Sequence, residues 1–310
     1  MAFVEQALMS GEYGEYIGHR IATPFGVDSK TGTYPVLKIN AGNMLRNLAK
    51  ALGAGSAYPR VSRKWETDNY ACIKYGLEDP VADDDRADVA KYFQLEQTET
   101  KLTHRQVLLA NEIRVASELF STSNWSLSTS ATAYTTTNLT SFDIAFDVDL
   151  AKLEIKNRGE STNPADLVAV MSESVFLRAR QSTRLQNRIR GQASSDSTLT
   201  LDAAAVAEAL GVREVMIGGG VYDTTLVNAA SSSLSSIWSN SYVWIGNVKD
   251  GDLKAGGAIR SLFWKERGGI VTVETYREEN VESDVIRVRQ WVDEKIINAN
   301  AGQLLVTQFS

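Results

Sequence analysis

The chain has 310 residues, 43% hydrophobic and 23% charged, enough for one large domain or two intertwined ones with a sizeable core. Its formal net charge of −6, from 38 acidic and 32 basic residues, excludes the overall basic field by which a protein gathers nucleic acid, though local basic stripes stay open. A single cysteine, Cys72, excludes an intrachain disulfide and paired-cysteine zinc frameworks; it reads as a small apolar filler in a reducing compartment.

The start, Met1-Ala2-Phe3-Val4, lacks the basic region and long apolar run of a secretory signal. No stretch approaches the roughly 18 apolar residues of a membrane span. The expectation is a soluble intracellular product without membrane contact. Residues 1–54 are rich in glycine and polar residues, with one helical island near Ala41–Ala51, and read as an extended arm that either packs on a partner or is mobile.

Residues 55–80 read as an extended β-hairpin. Tyr58 to Trp65 forms the first arm, Asp68-Asn69 the turn, and Tyr70 to Tyr75 the return. One face of the first arm carries Tyr58, Arg60, Ser62 and Lys64, the other Val61, Arg63 and Trp65. Aromatics interleaved with cations leave it no private core, and an isolated two-stranded hairpin is marginal in water. The hairpin is therefore expected to lie on another copy of the chain. Its contact residues are Tyr58, Arg60, Arg63, Lys64, Trp65, Tyr70, Lys74 and Tyr75.

Pro80 then breaks the chain, and Asp83, Asp84 and Asp85 cap a short helix over Arg86–Phe93. Three adjacent carboxylates point apart, which favours capping over metal binding. From Glu99 to Phe120, Leu102, Leu109, Ile113, Ala116 and Phe120 mark one face of a long helix. His104 falls off that stripe and reads as a surface residue. Residues 121–141, dominated by serine and threonine around Trp125 and Tyr134, read as irregular or short-stranded. Asp143, Asp147 and Asp149 read as a solvated edge and the cap of a helix over Leu150–Asn157, ended by Gly159.

The middle of the chain reads as α/β. Leu167–Met171 fits a buried strand, Ser172 caps a helix through Ala179, and Thr183–Ile189 continues as a second piece. Arg178, Arg180, Arg184, Arg188 and Arg190 give this zone a cationic run, either a solvated face, a subunit contact or a nucleic-acid contact. Asp202 caps Ala203–Leu210, Gly211 ends that helix, and Val212–Ile217 is a short strand. Ile270–Tyr276 and Val285–Val292 form a late hairpin, with Ile286, Val288 and Val292 on one face. Asn298–Val306 ends in a short apolar strand.

Catalytic motifs are scarce. No P-loop exists, Gly218-Gly219-Gly220 lacks the remaining spacing of a dinucleotide loop, and Gly53–Ala57 does not fit a serine-hydrolase elbow. With His19 and His104 the only histidines, triads and zinc sites have little material. No catalytic, cofactor or metal residue is assigned, and a non-enzymatic role is expected.

Several runs resemble the tailed-bacteriophage major capsid proteins of the HK97 fold. Tyr70–Gly76 with Glu78–Val81 is similar to the end of that family's extended loop. Glu99–Phe120, with Asn111-Glu112 at its middle, resembles the spine helix, and Asn163–Ser172 the entry to the axial domain. Leu201–Gly218, Ile237-Trp238 and Asp284–Gly302 are similar to the later segments. The resemblance implies an α+β subunit: an N-terminal arm (1–54), extended loop (55–80), peripheral domain with spine helix (81–150), axial domain (151–268), peripheral β-hairpin (269–295) and C-terminal strand and tail (296–310). It also implies self-assembly as pentamers and hexamers around double-stranded DNA without sequence-specific binding. A separate scaffolding protein, a portal and a decoration protein would be its partners, with assembly in the host cytoplasm and residence in the virion. Some members crosslink through a loop lysine; Lys64 and Lys74 lie in the matching loop, but the sequence places no partner for them. An encapsulin-like compartment shell, a tail-tube or other virion protein, and a carboxylate-using α/β enzyme stay open as alternatives.

Overall fold

The computed structural model describes residues 16–36, 45–61, 66–84, 86, 95–192, 201–225, 231–251, 253 and 256–309; the side chains of Arg190 and Gln192 lie outside that description. The chain opens with α1 (Gly18–Ile21), β1 (Thr23–Val27), β2 (Thr31–Val36), β3 (Glu66–Ala71), β4 (Ile73–Ala82) and the long α2 (Leu95–Leu119). Next come β5 (Ser126–Thr129), α3 (Ile144–Asn157), β6 (Leu167–Ser172), α4 (Glu173–Gln181), α5 (Thr183–Gln192), α6 (Ala203–Leu210) and β7 (Glu214–Gly218). The remainder is strands: β8 (Val221–Asp223), β9 (Leu234–Ser236), β10 (Tyr242–Asn247), β11 (Ile259–Trp264), β12 (Thr272–Glu278), β13 (Ser283–Ile296) and β14 (Gly302–Val306).

Two five-stranded sheets carry the fold. In the first, β13 runs antiparallel between β12 and β4, and its far end pairs with β11, which pairs parallel with β1. Ile286 and Val288 project from β13 to meet Val81 and Val107, so α2 lies on this sheet. At 1.5 Å per residue α2 is about 37 Å long. The second sheet has the order β5-β14-β10-β6-β7. Every residue of β6 is buried because both faces are covered. Leu167, Ala169 and Met171 join Ile144, Val148, Phe176 and Val206 of the helices; Val168 and Val170 join Trp244, Trp238 and Leu119 on the α2 side.

Local signals set the helix ends as the sequence suggests. Ser172 accepts from the Val175 amide at 3.3 Å, and Asp202 from the Ala205 amide at 2.9 Å. Gly211 closes α6 at φ 60°, the left-handed conformation that glycine adopts without Cβ strain. α3 begins six residues before the expected Leu150. Asp143 is its cap, accepting from Phe146 N at 3.2 Å, while Asp147 is buried and accepts from Ser130 Oγ (2.6 Å) and Tyr134 OH (2.8 Å). Burial pushes the Asp147 carboxyl above its ordinary value. The polar cluster is thus partly an interior tie that holds the irregular 121–141 segment to α3.

The expected face of the long helix is rotated. Leu102 is 49% exposed, Leu109 and Ile113 are half-buried, and only Ala116 and Phe120 are buried. The buried face also carries Thr103, His104, Val107, Leu108, Asn111, Glu112, Val115 and Leu119, so His104 is an interior residue. An apolar stripe misses this face because four of its members are polar and have work inside. Thr103 Oγ1 donates to Asp79 at 3.1 Å. Glu112, 2% exposed, accepts from Ile17 N (3.0 Å), Gly18 N (2.6 Å) and Trp238 Nε1 (2.8 Å). Burial raises the Glu112 carboxyl above its ordinary value, against the pull of those three donors.

Residues 16–27 likewise depart from a free arm. Ile17, Ile21 and Ala22 are buried against Val115 and Leu119, and β1 completes a sheet edge. Of the expected helical island, 45–51 is non-helical, and the rest lies outside the described residues, as do Asp85 and residues 87–93 of the short helix.

The end of the first sheet near Ser283 is held by ions. Arg277 clasps Asp83 with two bonds of 2.8 and 2.6 Å, and Arg86 reaches Asp284 and Glu96. These arginines hold the Asp83 and Asp284 carboxyls below their ordinary 3.8. A depressed folded pKa adds stability above the unfolded pKa, and that stability is lost as pH falls through the folded value. Hydrogen-exchange protection of amides 277–284 is therefore expected to drop below pH 3.8 relative to β6. Glu112→Ala strands three N–H donors and should lower unfolding free energy by about 3 kcal/mol in urea titrations, where the exposed Glu118→Ala stays within about 0.5 kcal/mol.

Candidate functional site

β2 and β3 form a separate two-stranded ribbon, with Thr31 opposite Ala71 and Val36 opposite Glu66. The expected hairpin is therefore corrected. Asp68 and Asn69 are mid-strand residues paired with Tyr34 and Thr33, and the partner strand comes from before residue 37. Asx chemistry suggested a turn there; instead Asp68 accepts from Tyr34 OH at 3.0 Å and pairs with Lys295 at 3.3 Å. A Cβ at Gly32 would meet the end of the Tyr70 side chain at 2.6–2.9 Å, so glycine lets that ring lie close over the strand. Ala71 N donates to Asp293 at 2.9 Å, which moors the ribbon base to the far end of β13.

No residue of β2, β3 or the described stretch 45–61 is buried. Tyr58 is 82% exposed, Leu45 67% and Val61 49%, and Arg60 is exposed. Arg63, Lys64 and Trp65 lie outside the described residues. The return arm belongs to the body instead. Tyr75 stacks under Arg114 at 3.9 Å, Tyr70 packs beside Val27, Cys72, Leu262 and Trp291, and the exposed Lys74 stands 5.8 Å from the Trp291 ring. β4 is a ten-residue partner of β13, and that pairing turns these residues toward their own chain. Cys72 is buried, and burial raises its thiol to about 11, which fits an inert filler.

The structure spreads the arginine run over separate contacts. Arg184 and Arg188 answer Asp143 (3.9 Å) and Asp149 (3.4 Å) of α3. Arg178 and Arg180 lie by the Phe309 and Phe176 rings. Exposed apolar groups that the sequence reading passed over include Leu45 and Leu52 beside Arg46 and Lys50. The absence of any acid from residues 37–65 was the available signal.

A cavity of about 520 Å³ lies between α1, α2 and β13, lined by Tyr16, His19, Leu108, Glu112 and Gln290. Its carboxylate, Glu112, is engaged by three N–H donors and serves structure. Among the described residues, no group of His, Cys, Asp or Glu could hold a metal ion, and no helix is long and apolar enough to cross a membrane. The exposed ribbon is the feature that asks for a partner.

No protein-family model matches the chain, and no curated protein matches its sequence. Solved structures do match over almost the full length. A phage-related protein from Bordetella bronchiseptica RB50 is 16% identical with TM-score 0.70, covering 99% of this chain and 97% of that one. The capsid of cyanophage P-SCSP1u is 11% identical with TM-score 0.60, covering 94% and 86%. The SrpI encapsulin of Synechococcus elongatus is 10% identical with TM-score 0.50, covering 93% and 85%. Helices and strands in this order, with the ribbon and the long helix, have the HK97-like fold of phage capsid proteins.

Proposed function

We propose that the chain is a major capsid protein, the subunit of an icosahedral phage head that assembles as pentamers and hexamers around double-stranded DNA. The observation that carries this reading is the ribbon: two strands and a described connection without one buried residue. Such an element has too little apolar contact to be stable alone, so its stability comes from a neighbouring copy. Interfaces of about 2,000–5,000 Å² per contact suit an obligate assembly of this kind.

In this reading β1, β4, β11, β12, β13 and α2 make the peripheral domain, and β5, β6, β7, β10, β14 with α3 to α6 the axial domain. The extended loop then begins near Asp28 and ends at Ala71, rather than spanning 55–80. A separate scaffolding protein, a portal and a decoration protein are its partners, and the virion its location. The role is structural rather than catalytic. The acidic balance is compatible with DNA held by confinement, since little tight binding is needed. The likeness to an encapsulin supports one second reading, a compartment shell around protein cargo.

Negative-stain microscopy of the purified protein should show closed, uniform shells. Nuclease-resistant double-stranded DNA inside particles from the native source supports the phage head, and protein cargo without DNA supports the compartment. Replacing residues 45–61 with a short Gly-Ser turn should leave circular dichroism unchanged and abolish shells; normal particles from that variant would contradict the role given to the ribbon.

A further inference from the structure

Side chains of β13 alternate between two faces, and Ile286, Val288 and Val292 form a buried apolar row along one of them. Gln290 interrupts that row. Its side chain is 0% exposed, and neither Oε1 nor Nε2 has a hydrogen-bond partner among the described residues. A carboxamide in this position has given up water and gained nothing in return, which is costly unless something else meets it.

Gln290 lines the cavity of about 520 Å³ between α1, α2 and β13. The cavity lies where the first sheet divides. β12 pairs with β13 as far as Arg289, opposite Thr272, and β11 takes over at Val292, opposite Phe263. On that edge Gln290 and Trp291 fall between the two partner strands. Pro24, Ser261 and Ile270 bound the cavity on the sheet side, and Tyr16, Leu108 and Asn111 on the helix side.

The acid and the arginine of this lining are already engaged. Both Glu112 oxygens accept from Ile17, Gly18 and Trp238, and Arg20 pairs with Glu214. What stays open at the buried end is one carboxamide, a donor and an acceptor side by side, within a mainly apolar wall. A charged ligand would shed its hydration there without meeting a free opposite charge. Water alone could meet the amide but would leave the apolar wall wet.

We propose that this cavity binds a small uncharged molecule with an apolar body and one amide-type edge, whose acceptor and donor pair with Gln290 Nε2 and Oε1. Its volume lies within the roughly 300–1,000 Å³ of ligand pockets, and a single polar anchor on an apolar wall is how such pockets orient what they hold. The site is built within one subunit and does not depend on the shell reading.

Benzamide serves as the probe, with toluene as the body lacking the edge and benzoate as the charged analogue. On the full-length protein, saturation-transfer NMR and calorimetry should show benzamide binding about tenfold more tightly than either analogue, and cryo-electron microscopy should place its density against Gln290. Gln290→Leu keeps the bulk and removes the amide. It should raise the melting midpoint of the ligand-free protein by about 2–4 °C and weaken benzamide about tenfold, with toluene unchanged. Equal affinity for benzamide and toluene, no benzamide binding, or density in the cavity from water or a length of protein chain only would overturn the proposal. So would a lower midpoint or unchanged benzamide binding in the folded variant. The wild-type comparison of probes decides the matter even where the variant fails to fold.

Discussion

Two distant parts of the chain converge on the Glu112 carboxylate. It accepts from the backbone of Ile17 and Gly18, which begin the first described helix, and from the indole of Trp238, which lies more than a hundred residues later. The group is carried on the long helix, and that helix touches both sheets: Val107 reaches the Ile286 and Val288 face, and Val115 and Leu119 reach Trp244 and Val170. A buried carboxylate is costly unless hydrogen-bonded, so its three donors must be in place together. The edge-to-face contact of Phe120 with Trp238, at 5.4 Å, continues the same junction. The start of α1 and the Trp238 segment are therefore tied to α2 by one buried carboxylate.

A two-stranded arm without a core transmits force or position only if its root is fixed, and the root here is tied to Asp293 and Lys295 at the end of the longest strand. Stability is thus divided unequally within the subunit. The interior is closely packed, while no residue of the ribbon's two strands or of the described stretch 45–61 is buried.

The ion network around Arg86 and Arg277 illustrates how the same charges serve both ends. Paired carboxylates there lock β12, β13 and β4 to one another, while the unpaired ones face outward. Exposed pairs of this kind add little to the stability of a lone domain.

Much of the fold was legible along the chain. The buried strand at Leu167–Met171, the caps at Ser172 and Asp202, the left-handed stop at Gly211 and the long helix through Phe120 are all local matters of propensity, capping and period, and such signals survive without tertiary context. The direction the helix faces was not legible, because Thr103, His104, Asn111 and Glu112 are polar residues buried for partners distant in sequence, and an apolar stripe cannot register them. The ribbon's pairing was hidden for the same reason. Asp68-Asn69 carries turn chemistry, yet the strand that pairs with it, Thr31–Val36, is separated from it by a long connection, and only the three-dimensional arrangement could override the local preference. By itself the sequence determined the buried strand at Leu167–Met171, the stops at Ser172, Asp202 and Gly211, and that residues 37–65 bear only positive charge; tertiary structure decided which faces and strands meet, because long-range pairing depends on distances that no local pattern encodes.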